Sequence, residues 1–241
     1  MSFANTYTQR LRKIARSYVL PAQEICDILD SRLDFSSLRT IADFGAGTLF
    51  FSEYFASRLN RPNANSALES IGGGQHEADL ACKLESSQEP TSQGKVIAID
   101  SIYHHITPST PCPNITLEPD LFHALAHYTF DCFFASDVLH HLSKDFTQTL
   151  LESIAHIPTI IIKDIDGAHR FGSFMNATHD LVFNHEKVRM IYPTKLESTL
   201  ADFGFTCSYY YLPKLWYPHF LLIATRRASD TQAQSTHKGR P

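Results

Sequence analysis

Paired cysteines are missing from this sequence. Its five, Cys26, Cys82, Cys112, Cys132 and Cys207, are scattered and odd in number. That pattern argues against both a disulfide framework and a zinc site, and it suits a reducing compartment. No segment reaches the ~18 consecutive apolar residues of a membrane span. Residues 1–16 carry charge without the apolar core of a secretory signal, so the expected location is cytoplasmic. Excess positive charge is also lacking: 21 Lys and Arg stand against 25 Asp and Glu, for a net charge of −4. No strong nucleic-acid signal and no general attraction to an anionic membrane follow from that balance. The local cluster Arg10, Arg12, Lys13 and Arg16 reads first as the solvated face of a helix, and second as a contact for an acidic substrate. Thirteen histidines are present, yet His123 and His127, spaced i, i+4, have no third ligand at fixed spacing. No metal site is expected.

What is present is an alternation of short apolar runs and helical periodicities. Apolar residues recur at helical spacing over 7–33, broken by Pro21, which predicts two short helices before any sheet. Strands are predicted at 39–44, 95–100, 115–117, 130–135, 159–163, 205–211 and 219–226, with helices at 49–59, 144–156 and 194–203. Gly204 supplies a C-cap for the last of these. Residues 60–94 are rich in Asn, Ser, Gln, Glu and Gly and read as a surface insertion. Its Gly72-Gly73-Gly74 follows no strand and lacks the Lys-Ser/Thr of a phosphate loop. A long irregular stretch is expected from 164 to 192. The connection between the last two strands, 212–218, is too short for a crossover helix, so that pair is antiparallel.

The expected architecture is therefore α/β: a three-layer Rossmann-like sandwich with a mainly parallel seven-stranded sheet and a reversed last strand. The organisation reads as an N-terminal helical extension (1–38), one catalytic domain (39–227) containing the 60–94 insertion, and a disordered tail (228–241).

The strongest chemical signal is Asp43-Phe44-Gly45-Ala46-Gly47, a strand running into a Gly-x-Gly turn before a helix. Bare backbone there lets a ligand approach closely, and helix N-terminal amides face it. A dinucleotide fingerprint needs a third glycine where Phe50 stands, and a carboxylate at Asp43 opposes a pyrophosphate. A ligand carrying an ammonium and a sulfonium fits better. The second strand ends at Asp100, suited to ribose hydroxyls. Its distance from Asp43, 57 residues, is reconciled by treating 60–94 as an insertion.

The run Ile41-Ala42-Asp43-Phe44-Gly45-Ala46-Gly47 resembles motif I of class I S-adenosylmethionine-dependent methyltransferases. Val96 to Asp100 is similar to that family's acidic second strand. Phe130-Asp131-Cys132-Phe133-Phe134-Ala135-Ser136-Asp137-Val138-Leu139-His140-His141-Leu142 resembles its fourth-strand motif. The terminal hairpin is similar to its reversed last strand. Leu49 departs from the small residue common at its position, and 60–94 is a second departure.

The resemblance implies S-adenosylmethionine as cofactor. Asp43 would orient its amino group, and Phe44, Gly45, Ala46 and Gly47 would pack against its amino-acid part. Asp100 would hold the ribose, with Ser101 and Ile102 beside the adenine, and Ser136 and Asp137 would meet the methionine moiety. Asp120 is a weaker candidate near the adenine, the simpler reading being structural.

Methyl transfer needs an aligned nucleophile and sometimes a base. The resemblance favours His141 as that base, with His140 second. Lys163 and Asp164, adjacent at the end of strand five, form a candidate catalytic pair in which the ammonium lowers the carboxyl pKa, or equally a structural ion pair. Arg170, His179 and Asp180, among aromatic residues, are candidate acceptor contacts. The expected function is methyl transfer to a small-molecule or lipid-like acceptor at oxygen or another heteroatom. The alternatives are an RNA or protein methyltransferase, a non-catalytic cofactor-binding scaffold, and a nicotinamide oxidoreductase. Composition gives no oligomeric state.

Overall fold

A computed structural model describes residues 20–60, 94–100, 113–169, 172, 174 and 188–227. In chain order its elements are helix α1 (Ala22–Arg32), strand β1 (Thr40–Phe44), helix α2 (Phe50–Leu59), strands β2 (Lys95–Ile99) and β3 (Ile115–Glu118), helix α3 (Leu121–His127) and strand β4 (Cys132–Ser136). A 3-10 turn (Leu139–His141), helix α4 (Lys144–Ile154), strand β5 (Thr159–Ile165), helix α5 (Pro193–Asp202) and strands β6 (Phe205–Lys214) and β7 (Tyr217–Arg226) complete it.

The strands form one seven-stranded sheet in the order β3-β2-β1-β4-β5-β7-β6. β1 pairs in parallel with β2 and β4, β2 with β3, and β4 with β5, whereas β7 runs antiparallel to both β5 and β6. The reversed last strand expected from the short closing connection is present. So are the helices on both faces that a buried parallel sheet requires. One face, carrying Phe133, Ile160 and Phe220, is covered by α3, α4 and α5. The other, carrying Ile41, Phe134 and Ile161, is covered by α1 and α2. α1, which precedes the sheet in the chain, thus contributes Ile25 and Leu29 to the core on this second face. Phe133, Phe134 and Phe55 are fully buried, each worth roughly 1.5–3 kcal/mol of apolar transfer.

Local chemistry sets the element ends. Ser143 and Asp120 cap α4 and α3 by accepting the amides of Phe146 and His123. Pro193 opens α5 at a position whose amide needs no partner. Asp131, just before β4, accepts the amides of Arg39 and Thr40 and ties β4 to the start of β1.

Three sequence expectations are corrected. The connection expected over 212–218 is mostly strand: pairing continues through Pro213↔Pro218 to Lys214↔Tyr217. Only Leu215, at φ 54, and Trp216 remain as the turn. Asp164 and Ile165, placed in the irregular stretch, belong to β5, whose pairing with β7 runs through Ile165↔His219. Residues 121–127, where the sequence offers only the i, i+4 spacing of His123 and His127, form the short helix α3. The expectations for 1–19, for most of the 60–94 insertion and for the tail from 228 lie outside the described residues.

Candidate functional site

The parallel strands all end at one edge of the sheet, and their C-terminal tips bring the expected residues together. β1 runs into Gly45 at φ 75 and Gly47 at φ 49, left-handed backbone that glycine adopts without strain. The amide of Gly45 donates to the carbonyl of Ile99, 2.9 Å away at the end of β2. The Gly47 amide donates to Oδ2 of Asp100, also at 2.9 Å. The glycine turn and the acidic strand tip, far apart in sequence, therefore form one hydrogen-bonded unit.

Close packing requires glycine at position 45. A Cβ there would stand 2.9 Å from Cβ of Val138 and 3.3 Å from the carbonyl oxygen of Ser136. Leu49 also adopts a left-handed conformation, at φ 63. Its side chain is buried with Ala46 and Ala98 below the turn, where Ile115 packs against the same group, and it lies 1% exposed. Phe50 is partly exposed. Leu49 thus fills a small core of its own beside β2, and Phe50 turns outward onto Phe51, ring edge to ring face. Beneath the turn Asp43 is buried and accepts a 2.5 Å hydrogen bond from Oγ of Ser52 in the first turn of α2. That bond fixes the helix N-terminus relative to β1.

At the tips of β4 and β5 the side chains sort by face. Alternation along a strand sends neighbours to opposite sides, and Lys163 and Asp164 obey it. Lys163, fully buried, places Nζ 2.5 and 2.6 Å from the two carboxylate oxygens of Asp137. Asp164 points to the other face, where Oδ1 lies 2.5 Å from Nδ1 of His140 and also accepts the amide of Ile165. Its Oδ2 accepts the amides of Leu139 and His140. The expected Lys163–Asp164 pair is therefore replaced by two separate units, Lys163 with Asp137 and His140 with Asp164.

A carboxylate facing Nδ1 holds the proton there and leaves Nε2 as the basic nitrogen of the ring. His140 thus has a buried acidic partner in Asp164. His141 is exposed and lies against the His140 ring, with 4.0 Å between ring centroids.

Two features that sequence reasoning missed hold this region. Arg189 donates its amide to the His140 carbonyl and its guanidinium to the carbonyls of Leu139 and Leu142 and to Oγ1 of Thr147. Asp164 satisfies the amides of the same 3-10 turn, so amides and carbonyls are secured from opposite sides. Asp166, buried just past β5, accepts the Tyr209 hydroxyl at 3.0 Å and the Ala168 amide at 2.8 Å. Burial and the bond to Asp166 push the Tyr209 phenol well above its usual range. A serine one helical turn past a Gly-x-Gly turn is a readable signal for Ser52. Arg189 carries no local signal, because its partners lie more than 40 residues away in the chain.

Asp120 caps α3 by accepting the His123 amide. Phe44 is buried in the core on the far face of β1. His123 and His127 stack on α3 with ring centroids 3.9 Å apart. No group of three metal-ligating side chains occurs among the described residues. Within the same residues no helix is long and apolar enough to cross a membrane. Ser101, Ile102, Arg170, His179 and Asp180 lie outside the described residues.

A scan against protein-family models and a search of the curated proteins return no match. Solved structures do match. A SAM-dependent methyltransferase from Archaeoglobus fulgidus is 14% identical, with 90% of this chain and 99% of that one covered and a TM-score of 0.58. An S-adenosylmethionine-dependent methyltransferase from Mesorhizobium loti is 12% identical, with 83% and 96% covered and a TM-score of 0.55. Magnesium protoporphyrin IX methyltransferase from Synechocystis, solved with bound SAH, is 13% identical, with 85% and 81% covered and a TM-score of 0.54. At these identities the likeness is one of fold: the chain has the Rossmann-like fold of class I methyltransferases.

Proposed function

We propose that this chain is an S-adenosylmethionine-dependent methyltransferase acting on a small-molecule or lipid-like acceptor at oxygen or another heteroatom. The observation that carries the reading is the bond between the Gly47 amide and Asp100, which joins the glycine turn and the acidic strand tip into one cradle. Fold alone does not establish function; the groups of the cradle carry the reading. The cradle fits a cationic nucleoside. Bare backbone at Gly47 admits close approach, Val138 packs where a Gly45 side chain would stand, and the carboxylates of Asp43 and Asp100 give the turn negative character. Oγ of Ser136 is buried and makes no hydrogen bond among the described residues, so a polar partner from a ligand would satisfy it.

In this reading Gly45, Ala46 and Gly47 hold the amino-acid part of the cofactor, Asp43 orients its ammonium through the turn, and Asp100 accepts from the ribose. Ser101 and Ile102 flank the adenine. The cofactor supplies, when bound, a methyl group activated by a positive sulfonium. His140, oriented by Asp164, takes the proton from the acceptor atom as that atom becomes nucleophilic. Such a base contributes typically 10²–10⁴-fold. A base held by a buried carboxylate favours an acceptor that must lose a proton, such as a hydroxyl. Arg170, His179 and Asp180 are proposed acceptor contacts.

Calorimetric titration of the whole chain with S-adenosylmethionine and S-adenosylhomocysteine tests this. Saturable one-to-one binding of both is expected, with no heat from NADH. Binding of NADH alone, or of none of the three, would overturn the proposal.

A further inference from the structure

Lys163 is fully buried at the tip of β5, and the mechanism above gives it no proton to carry. Its ammonium reaches both carboxylate oxygens of Asp137 at 2.5 and 2.6 Å. The Asp137 amide in turn donates to the Lys163 carbonyl at 2.9 Å. Asp137 is therefore gripped through backbone and side chain by one residue of the neighbouring strand. It needs a firm hold, since at φ 53 it lies in the left-handed region, where a residue with a Cβ persists only if its surroundings impose it. This left-handed residue turns the chain as it leaves β4 and carries Val138 back toward β1. Val138 then lies against Gly45, its Cβ 2.9 Å from the position a Cβ on that glycine would take.

We infer that Lys163 is a positioning residue for the cofactor turn, acting through the left-handed Asp137 to seat Val138 against Gly45. The inference rests on the proposed cofactor site but adds a strand-five contribution to it. A buried ammonium needs a partnered carboxylate. Spending that pair on a strained residue beside the cradle, instead of on Asp164, couples the acceptor end of the sheet to the cofactor end. Without Lys163, residue 137 relaxes, Val138 withdraws, and the Gly45 turn loses the wall that fixes its path.

The test uses the full chain and S-adenosylhomocysteine as probe. Lys163→Met keeps the length of the side chain and removes its charge. Calorimetry is expected to give at least tenfold weaker binding than wild type, and the ¹⁵N amide resonance of Gly45 is expected to move in the ligand-free protein. Ile157→Ala, a core change two residues before the start of β5, is the control for stability loss alone: it should lower the melting temperature while leaving affinity and the Gly45 resonance in place. If Lys163→Met does not fold, Val138→Ala breaks the next link with the ion pair intact. It should weaken binding at least threefold and move the same resonance. Should a folded Lys163→Met, or failing that Val138→Ala, bind within twofold of wild type with Gly45 unmoved, the inference is overturned. Failure of wild type to bind S-adenosylhomocysteine would instead remove the cofactor reading beneath it, and the Gly45 resonance still reports on the mechanical link in that case.

Discussion

The backbone amide of Gly47 donates to Oδ2 of Asp100 over 2.9 Å, although 53 residues separate the two in the chain. The bond makes the acidic tip of β2 part of the glycine turn itself. Asp100 consequently has two tasks in the proposed site: it holds the turn closed and presents its carboxylate to a ribose.

Asp100→Ala removes both. Hydrogen bonds to a charged group are worth about 1.5–3 kcal/mol, which corresponds to roughly a 10- to 150-fold loss of S-adenosylhomocysteine affinity. Asp100→Asn keeps an acceptor oxygen for the Gly47 amide and should fall between wild type and Ala. Isothermal calorimetry on the three proteins checks the order.

His140→Asn and Asp164→Asn separate chemistry from cofactor binding. Methyl transfer should fall by about 10²–10⁴-fold when the base is removed, with S-adenosylhomocysteine affinity held within a few-fold. His141→Asn should cost much less, because its ring is exposed and the buried carboxylate of Asp164 orients His140. The measurement is transfer of labelled methyl from S-adenosylmethionine to acceptors in a metabolite extract. Equal losses at 140 and 141 would contradict the assignment.

Leu49 sets left-handed strain against burial. Relief of the strain by Leu49→Gly gains about 1–2 kcal/mol, but emptying a buried leucine site costs about 2–5 kcal/mol. Glycine also loses further backbone freedom on folding. A net destabilisation of about 2 kcal/mol is expected in urea unfolding. A more stable Leu49→Gly protein would show that the small cluster with Ala46 and Ala98 is not holding the turn.

Alkaline pH should weaken the fold through buried thiols. Burial, reinforced by Asp30, pushes the Cys26 thiol from 9.0 up to about 11, and burial raises Cys132 further. Between pH 9 and 11 the unfolded chain has released the Cys26 proton while the folded chain retains it. Stability is thus fully present below pH 9 and declines as pH rises toward 11. Cys26→Ala should flatten part of that decline in urea melts at pH 8, 9.5 and 10.5.

The sheet was legible because its central strands are short continuous apolar runs, such as Val96 to Ile99, between glycine or polar breaks. Asp43, Gly45 and Gly47 were readable from the strand–turn–helix order, and Asp100 once 60–94 was treated as inserted. The hairpin was harder. Pro213 and Pro218 read locally as loop residues, yet they lie opposite each other near the tip of the ribbon, where lost ladder donors matter least. The pairing of Lys163 with Asp164 failed for a reason available in the sequence: adjacent strand residues face opposite ways. The choice between His140 and His141 was not available there, because a single 3-10 turn decides which ring meets Asp164. Arg189 was invisible, since its partners come from distant segments.

A ¹⁵N-correlated NMR titration of the chain with S-adenosylhomocysteine tests the cradle most directly. The amides of Gly45 and Gly47 should shift in saturable fashion together with residues at the tip of β2, and Asp100→Ala should suppress those shifts. Resonances at Gly45 and Gly47 that stay fixed while the ligand saturates elsewhere would contradict the account.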